Sequence, residues 1–80
     1  MDAKQQINDK QWEVAFYPAY DAPPERYVYL DKDKQLAFQQ FKFFQDTKDD
    51  PDYPQMYKKI DLSVIVGNLS CIIDEILFKN

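Results

Sequence analysis

Eight apolar residues in the last third of the chain, Leu62, Ile65, Val66, Leu69, Ile72, Ile73, Ile76 and Leu77, recur at helical spacing. At 100° per residue they occupy one contiguous face about 140° wide, the signature of an amphipathic helix. A second period runs through part of the same stretch. Ile60, Leu62, Val64 and Val66 alternate with Lys59, Asp61, Ser63 and Ile65, as in a half-buried strand. Two arrangements are open: one helix from Pro54 to Phe78, or a strand at 59–66 handing over to a helix capped near Asn68. Gly67 costs a helix interior about 1 kcal/mol and suits the handover. A helix through 62–78 satisfies more positions, and Pro54 suits a first helical turn. The pattern therefore predicts one long C-terminal helix.

Upstream, Trp12, Val14 and Phe16 alternate with Gln11, Glu13, Ala15 and Tyr17, which predicts a strand that Pro18 ends. The run from Pro18 to Glu25 reads as a stiff loop. Its three prolines oppose both a helix and a two-residue hairpin turn. Arg26 to Leu30 is a second, short strand, and antiparallel pairing of the two is the economical topology. Val28 and Leu30 share one face, Tyr27 and Tyr29 the other. Asp31 or Asp33 can cap a helix near 33–46, whose stripe is Ala37, Phe38, Phe41 and Phe44, flanked by Leu36 and Phe43.

The expected fold is α+β: a small antiparallel two- or three-stranded sheet against that aromatic helix and the long C-terminal one. The order is ββαα, or ββαβα if 59–66 is a strand. Residues 1–10 read as a polar arm and 11–80 as one compact domain. Trp12, Val14, Phe16, Val28, Leu30, Phe38, Phe41, Phe44, Ile65, Leu69, Ile72 and Ile76 form most of the expected core.

Composition narrows the chemistry. The 80 residues contain no histidine, one glycine and one cysteine, with 10 basic and 14 acidic side chains for a net charge of −4. Without histidine, Ser63, Ser70, Thr47 and Cys71 have no ordinary activating base. Cys71, inside the apolar run, reads as a small buried residue, hence inert. A lone Gly67 cannot build a phosphate cradle. The carboxylates Asp31/Asp33 and Asp74/Glu75 read as a helix cap and a solvated rim. The Asp49-Asp50-Pro51-Asp52 run lacks the glycine and closing glutamate of a calcium loop. No metal, cofactor or catalytic residue is therefore expected. The basic residues are scattered and Arg26 is the sole arginine, which argues against direct nucleic-acid binding. There is no signal-like or membrane-spanning stretch, and one free thiol suits a reducing cytoplasm. The triplet Asn68-Leu69-Ser70 matches a glycosylation acceptor by chance.

The features left for function are aromatic and acidic. Tyr17, Tyr20, Tyr27 and Tyr29 lie within thirteen residues, and Tyr53 closes the acidic stretch Asp46, Asp49, Asp50 and Asp52. Tyrosine gives large contact area at low entropic cost. These nine residues are the expected partner-binding set, and a non-enzymatic protein-binding module the expected function. In profile, being tiny, acidic, aromatic-rich and motif-free, the chain is similar to the small inhibitors that phages and other mobile elements deploy against host nucleic-acid machinery. That resemblance implies a nucleic-acid-binding host protein as partner. The alternative is a homodimeric accessory or antitoxin-like protein. It would associate through small residues Ser63, Gly67 and Cys71 spaced along the C-terminal helix.

Overall fold

The computed structural model describes residues 10–53 and 56–78, so the N-terminal arm and the place of Pro54 lie outside the described residues, except that Lys10 opens the first strand. Four strands and one helix follow in the order ββαββ. Strand β1 spans Lys10–Pro18, β2 Glu25–Leu30, β3 Tyr57–Val66 and β4 Leu69–Leu77, with helix α1 at Lys34–Asp46 entered through a 3-10 turn at Asp31–Asp33. The strands form one antiparallel sheet in the order β2-β1-β3-β4. The molecule is mostly β, not the two-helix α+β unit expected.

The long C-terminal helix is replaced by the β3–β4 hairpin. β3 holds two isoleucines and two valines and β4 three isoleucines, whose branched side chains fit a pleated surface better than a helix. Gly67 and Asn68 form the two-residue connection, with Gly67 at φ +61° and no non-glycine residue at positive φ among the described residues. Glycine first in a two-residue turn is the type II′ pattern, which matches the twist of paired strands. Register slips by one between Leu62 and Ser63, where Ile73 has no direct partner. The bulge contributes the Ile72-Ile73 doublet to the helix-like reading, and the doublets Ile65-Val66 and Ile76-Leu77, one residue on each sheet face, complete the imitation of a 3.6-residue period.

Strand β1 is central, and its row Trp12, Val14 and Phe16 is buried beneath α1 together with Ala37, Phe41, Ile60, Leu62, Ile76 and Phe78. Register puts Tyr29 beside Trp12, Tyr27 beside Val14 and Leu62 on the other flank of Val14. The helix therefore covers the tyrosine face of β2. Val28 and Leu30, expected in the core, stand on the open face at 53% and 52% exposure. The helix stripe also narrows: Ala37 and Phe41 are buried, Phe44 partly so, and Phe38 is exposed. On the hairpin, Ile76 is buried, Ile65 is half-buried, and Leu69 and Ile72 are exposed because β4 is an edge strand. Asp31 does not cap α1; its Oδ1 accepts the Trp12 indole N–H at 2.9 Å, and Asp33 makes no side-chain cap.

A Cβ built on Gly67 meets nothing within 4 Å, so any cost of a side chain there is backbone strain alone. Gly67→Ala is expected to lower stability by about 1–2 kcal/mol and Gly67→Asn by less. The urea midpoint at unchanged slope measures both.

Candidate functional site

Phe16 organises one end of the sheet. Its ring meets Tyr27 at 5.6 Å, Phe44 at 5.2 Å and Tyr57 at 5.1 Å between centroids. From Phe44 the contacts run on to Phe43 at 5.3 Å and from Phe43 to Tyr53 at 5.6 Å, both edge to face. An unbroken line of rings thus joins β2 to the acidic loop through β1 and α1. Edge-to-face pairs add about 0.5–1.5 kcal/mol each beyond burial, so the line is a firm support. At its two ends Tyr27 and Tyr53 remain 44% and 46% exposed.

The proline loop closes the same end. Ala19 donates its N–H to the Met56 carbonyl at 2.9 Å, tying the loop to the entry of β3. Tyr17, Tyr20, Asp21 and Lys58 line a shallow depression of about 380 Å³ together with Pro18 and Pro24. Tyr20 projects from it, 62% exposed. Tyr57, whose ring packs on Phe16 and Phe44, has its phenol pushed above the ordinary value of 10.0, first by burial and then by the charges of Glu25, Tyr27 and Tyr20.

The acidic loop is built from consecutive turns. Thr47 donates both its N–H and its hydroxyl to the Phe43 carbonyl, at 3.1 and 2.8 Å, and so ends α1. Asp50 accepts the Asp52 N–H on Oδ1 at 2.9 Å, an aspartate turn that points the chain back toward Tyr53. Asp46 pairs with Lys42 at 3.4 Å, while Asp46, Asp49 and Asp52 are exposed. Among the described residues no group of histidine, cysteine, aspartate and glutamate could hold a metal.

The sheet face opposite the helix carries ion pairs. Arg26 reaches Glu13 at 3.2 Å, and Lys59 reaches Asp61 at 3.6 Å and Glu75 at 3.9 Å. Both cations also lie over the Tyr17 ring, Lys59 at 4.6 Å and Arg26 at 5.9 Å from its centroid. The Arg26 guanidinium is held further in its charged form, first by Tyr17 and then by Glu13. Asp61 is buried between Ala15 and Glu75 in the register, and among the described residues its Oδ1 has no hydrogen-bond partner. Sequence patterning gave no warning of a buried carboxylate there, because Asp61 alternates with apolar residues as a solvent-facing position would.

Of the nine residues singled out from the sequence, Tyr17, Tyr20, Tyr27, Tyr53 and the four aspartates lie at the Phe16 end. Tyr29 does not join them: one helical span away, its hydroxyl donates to the Gln40 Oε1 at 2.7 Å and its ring packs on the core. Tyr57 was not singled out, although its neighbour Tyr53 was. Ser63, Gly67 and Cys71 do not form a helical groove. Ser63 is buried on β3, Gly67 makes the turn, and Cys71 lies exposed on β4 opposite Val64 instead of in a core. Dimerisation through a C-terminal helix is thereby removed. No helix among the described residues is long and apolar enough to cross a membrane. Comparison with protein-family models, with curated proteins and with solved structures gave no match.

Two outcomes test these contacts. Unfolded tyrosine ionises near 10.0 and folded Tyr57 higher, so its contribution to stability is full below pH 10 and is lost as pH rises through the folded value. Tyr57→Phe should therefore flatten the fall in urea midpoint as pH rises above the ordinary tyrosine value of 10.0. Lys59→Met strands the Asp61 carboxylate and should cost about 1–3 kcal/mol. The double change Lys59→Met with Asp61→Val should recover most of that, because no buried charge is left without its cation.

Proposed function

We propose that this chain is a non-enzymatic protein-binding module that works through the tyrosine- and aspartate-bearing end of its sheet. The observation that supports this reading is the line of rings from Tyr27 through Phe16, Phe44 and Phe43 to Tyr53, which leaves a partly exposed tyrosine at each end, Tyr53 beside the acidic loop. Tyrosines held by ring contacts and still partly exposed lose little entropy on binding, which is why such side chains are enriched in contact surfaces. Loop residues 46–53 carry four carboxylates against one lysine, so they favour a basic partner and speed its approach. A protein surface that ordinarily holds DNA or RNA has that character, and an inhibitor of such a protein is the role proposed. The sequence supports the absence of catalysis through what it lacks: an imidazole, a phosphate-binding glycine loop and a nucleophile with a base beside it.

Affinity capture from source-cell and host lysates, with kinetics on the captured protein, tests the reading. The captured protein should bind nucleic acid, and its association rate should fall about tenfold or more between low and high salt. Asp49→Asn, Asp50→Asn and Asp52→Asn together should slow association while leaving dissociation nearly unchanged. Tyr20→Ala or Tyr53→Ala should raise the dissociation rate about tenfold, close to 1.4 kcal/mol. A salt-insensitive association rate, or identical kinetics for all these variants, overturns it.

A further inference from the structure

Strand β4 ends the sheet, and among the described residues nothing pairs with its outer side. In an antiparallel ladder every second residue of such a strand turns its N–H and C=O away from its neighbour, leaving a template for another strand. Proteins usually blunt such an edge, yet β4 exposes Leu69, Ile72, Ile73 and Leu77 at 77%, 54%, 47% and 58%. Beside it, between α1 and the sheet, runs a groove of about 340 Å³ floored by Phe38, Phe41, Leu62 and Ile73, with Lys42 and Asp74 on its rim. That volume is at the small end of ligand pockets, which are about 300–1,000 Å³, and suits one or two inserted side chains.

The bulge links the two features. It leaves Ile73 without a partner next to Asp74, which pairs with Leu62 on the helix side, and so both residues border the groove. Bulges commonly re-aim a side chain in this way beside a binding site. Charge selects the occupant. Strand β4 carries Asp74 and Glu75 and no cation. Glu75 has Lys59 at 3.9 Å and Lys42 is engaged with Asp46, but among the described residues Asp74 has no ion pair, its Oδ1 accepting the Glu75 N–H at 2.8 Å. A second copy of β4 would add two more carboxylates to the joined edge. A strand with a lysine or arginine would neutralise the one that is unpaired.

We propose that β4 is a strand-addition site: an extended segment of a partner protein pairs with its free edge, sets an apolar side chain into the α1–β4 groove, and places a lysine or arginine against Asp74. Main-chain pairing gives the affinity and the groove and carboxylate the selectivity, as in other sheet-edge recognition modes. This surface is separate from the tyrosine-bearing end, and neither needs the other.

The test uses the full chain and a displayed library of random octapeptides, with the selected peptides then made synthetically. Peptides in which an apolar residue lies near a lysine or arginine should be enriched, and they should protect β4 amides from hydrogen exchange. Methylating alternate backbone nitrogens of a selected peptide should weaken binding at least tenfold in one phase of the alternation only. Ile73→Lys should abolish binding, and Asp74→Lys should shift selection toward acidic peptides. Both positions are exposed, so folding is retained, and circular dichroism checks it. Tyr20→Ala and the loop Asp→Asn variants should leave peptide binding unchanged. The proposal is overturned if no peptide is enriched, if binding survives methylation in both phases, or if light scattering shows that the edge is closed by a second copy that Ile73→Lys disperses.

Discussion

Phe16 holds three separately encoded parts of the chain to one another. Its ring lies against Tyr27 of β2, Phe44 of α1 and Tyr57 of β3, and it is 2% exposed. A domain this small hides only about 60% of the surface its unfolded chain exposes, so it cannot spread its core over several independent clusters. Val14 and Ile60, both fully buried, sit in register around the same point. The position of the helix, the depth of the proline loop and the line of tyrosines all descend from this cluster. A gap at Phe16 would loosen all three together, because close-packed interiors transmit changes of shape instead of absorbing them.

The first half of the chain was legible because its signals agree with one another. Alternation in Gln11–Tyr17, termination at Pro18 and the aromatic stripe of 34–46 each point to one kind of element, and the structure has strands and a helix there. The last third was not legible by period, since the apolar pairs Ile65-Val66, Ile72-Ile73 and Ile76-Leu77 break strict alternation and also fit a helix. Another signal was available. Gly67-Asn68 between two runs of β-branched residues is a two-residue hairpin connection, and that local chemistry outweighs a periodic count spread over sixteen positions. One wrong period then displaced several core positions, because Leu69 and Ile72 bury well on a helix but poorly on an edge strand.

The face of β2 was misread for a different reason. Alternation establishes that Val28 and Leu30 oppose Tyr27 and Tyr29, but not which pair meets the helix. Hydrophobicity favoured the aliphatic pair. The structure gives the inner face to the tyrosines, since their rings span the distance to α1 and Tyr29 finds Gln40 for its hydroxyl. A buried tyrosine needs only one such partner, whereas its apolar body contributes more contact than valine. The grouping of Tyr17, Tyr20, Tyr27 and Tyr53 could be guessed from their nearness in sequence to two adjoining loops. The line of rings that joins Tyr27 to Tyr53 could not, because it passes through Phe43, a residue on the flank of the helical stripe.

The distribution of burial has a consequence for how the molecule can work. The core is built from the two inner strands, the helix and the C-terminal residues Ile76 and Phe78, whereas β2 and most of β4 carry large apolar side chains in water. Apolar exposure in scattered single residues is ordinary, but here it is concentrated along the sheet edges. Removing those side chains would cost the fold little, since few of their contacts lie in the core. Their retention at such positions is a burden on solubility that the net charge of −4 only partly offsets. A chain with so small a core keeps its edges rich in isoleucine and leucine to advantage when those edges are covered by something else. Ile76 and Phe78 anchor the end of β4 in the core while Leu69, Ile72, Ile73 and Leu77 stand in water, so this one edge is both support and exposed surface.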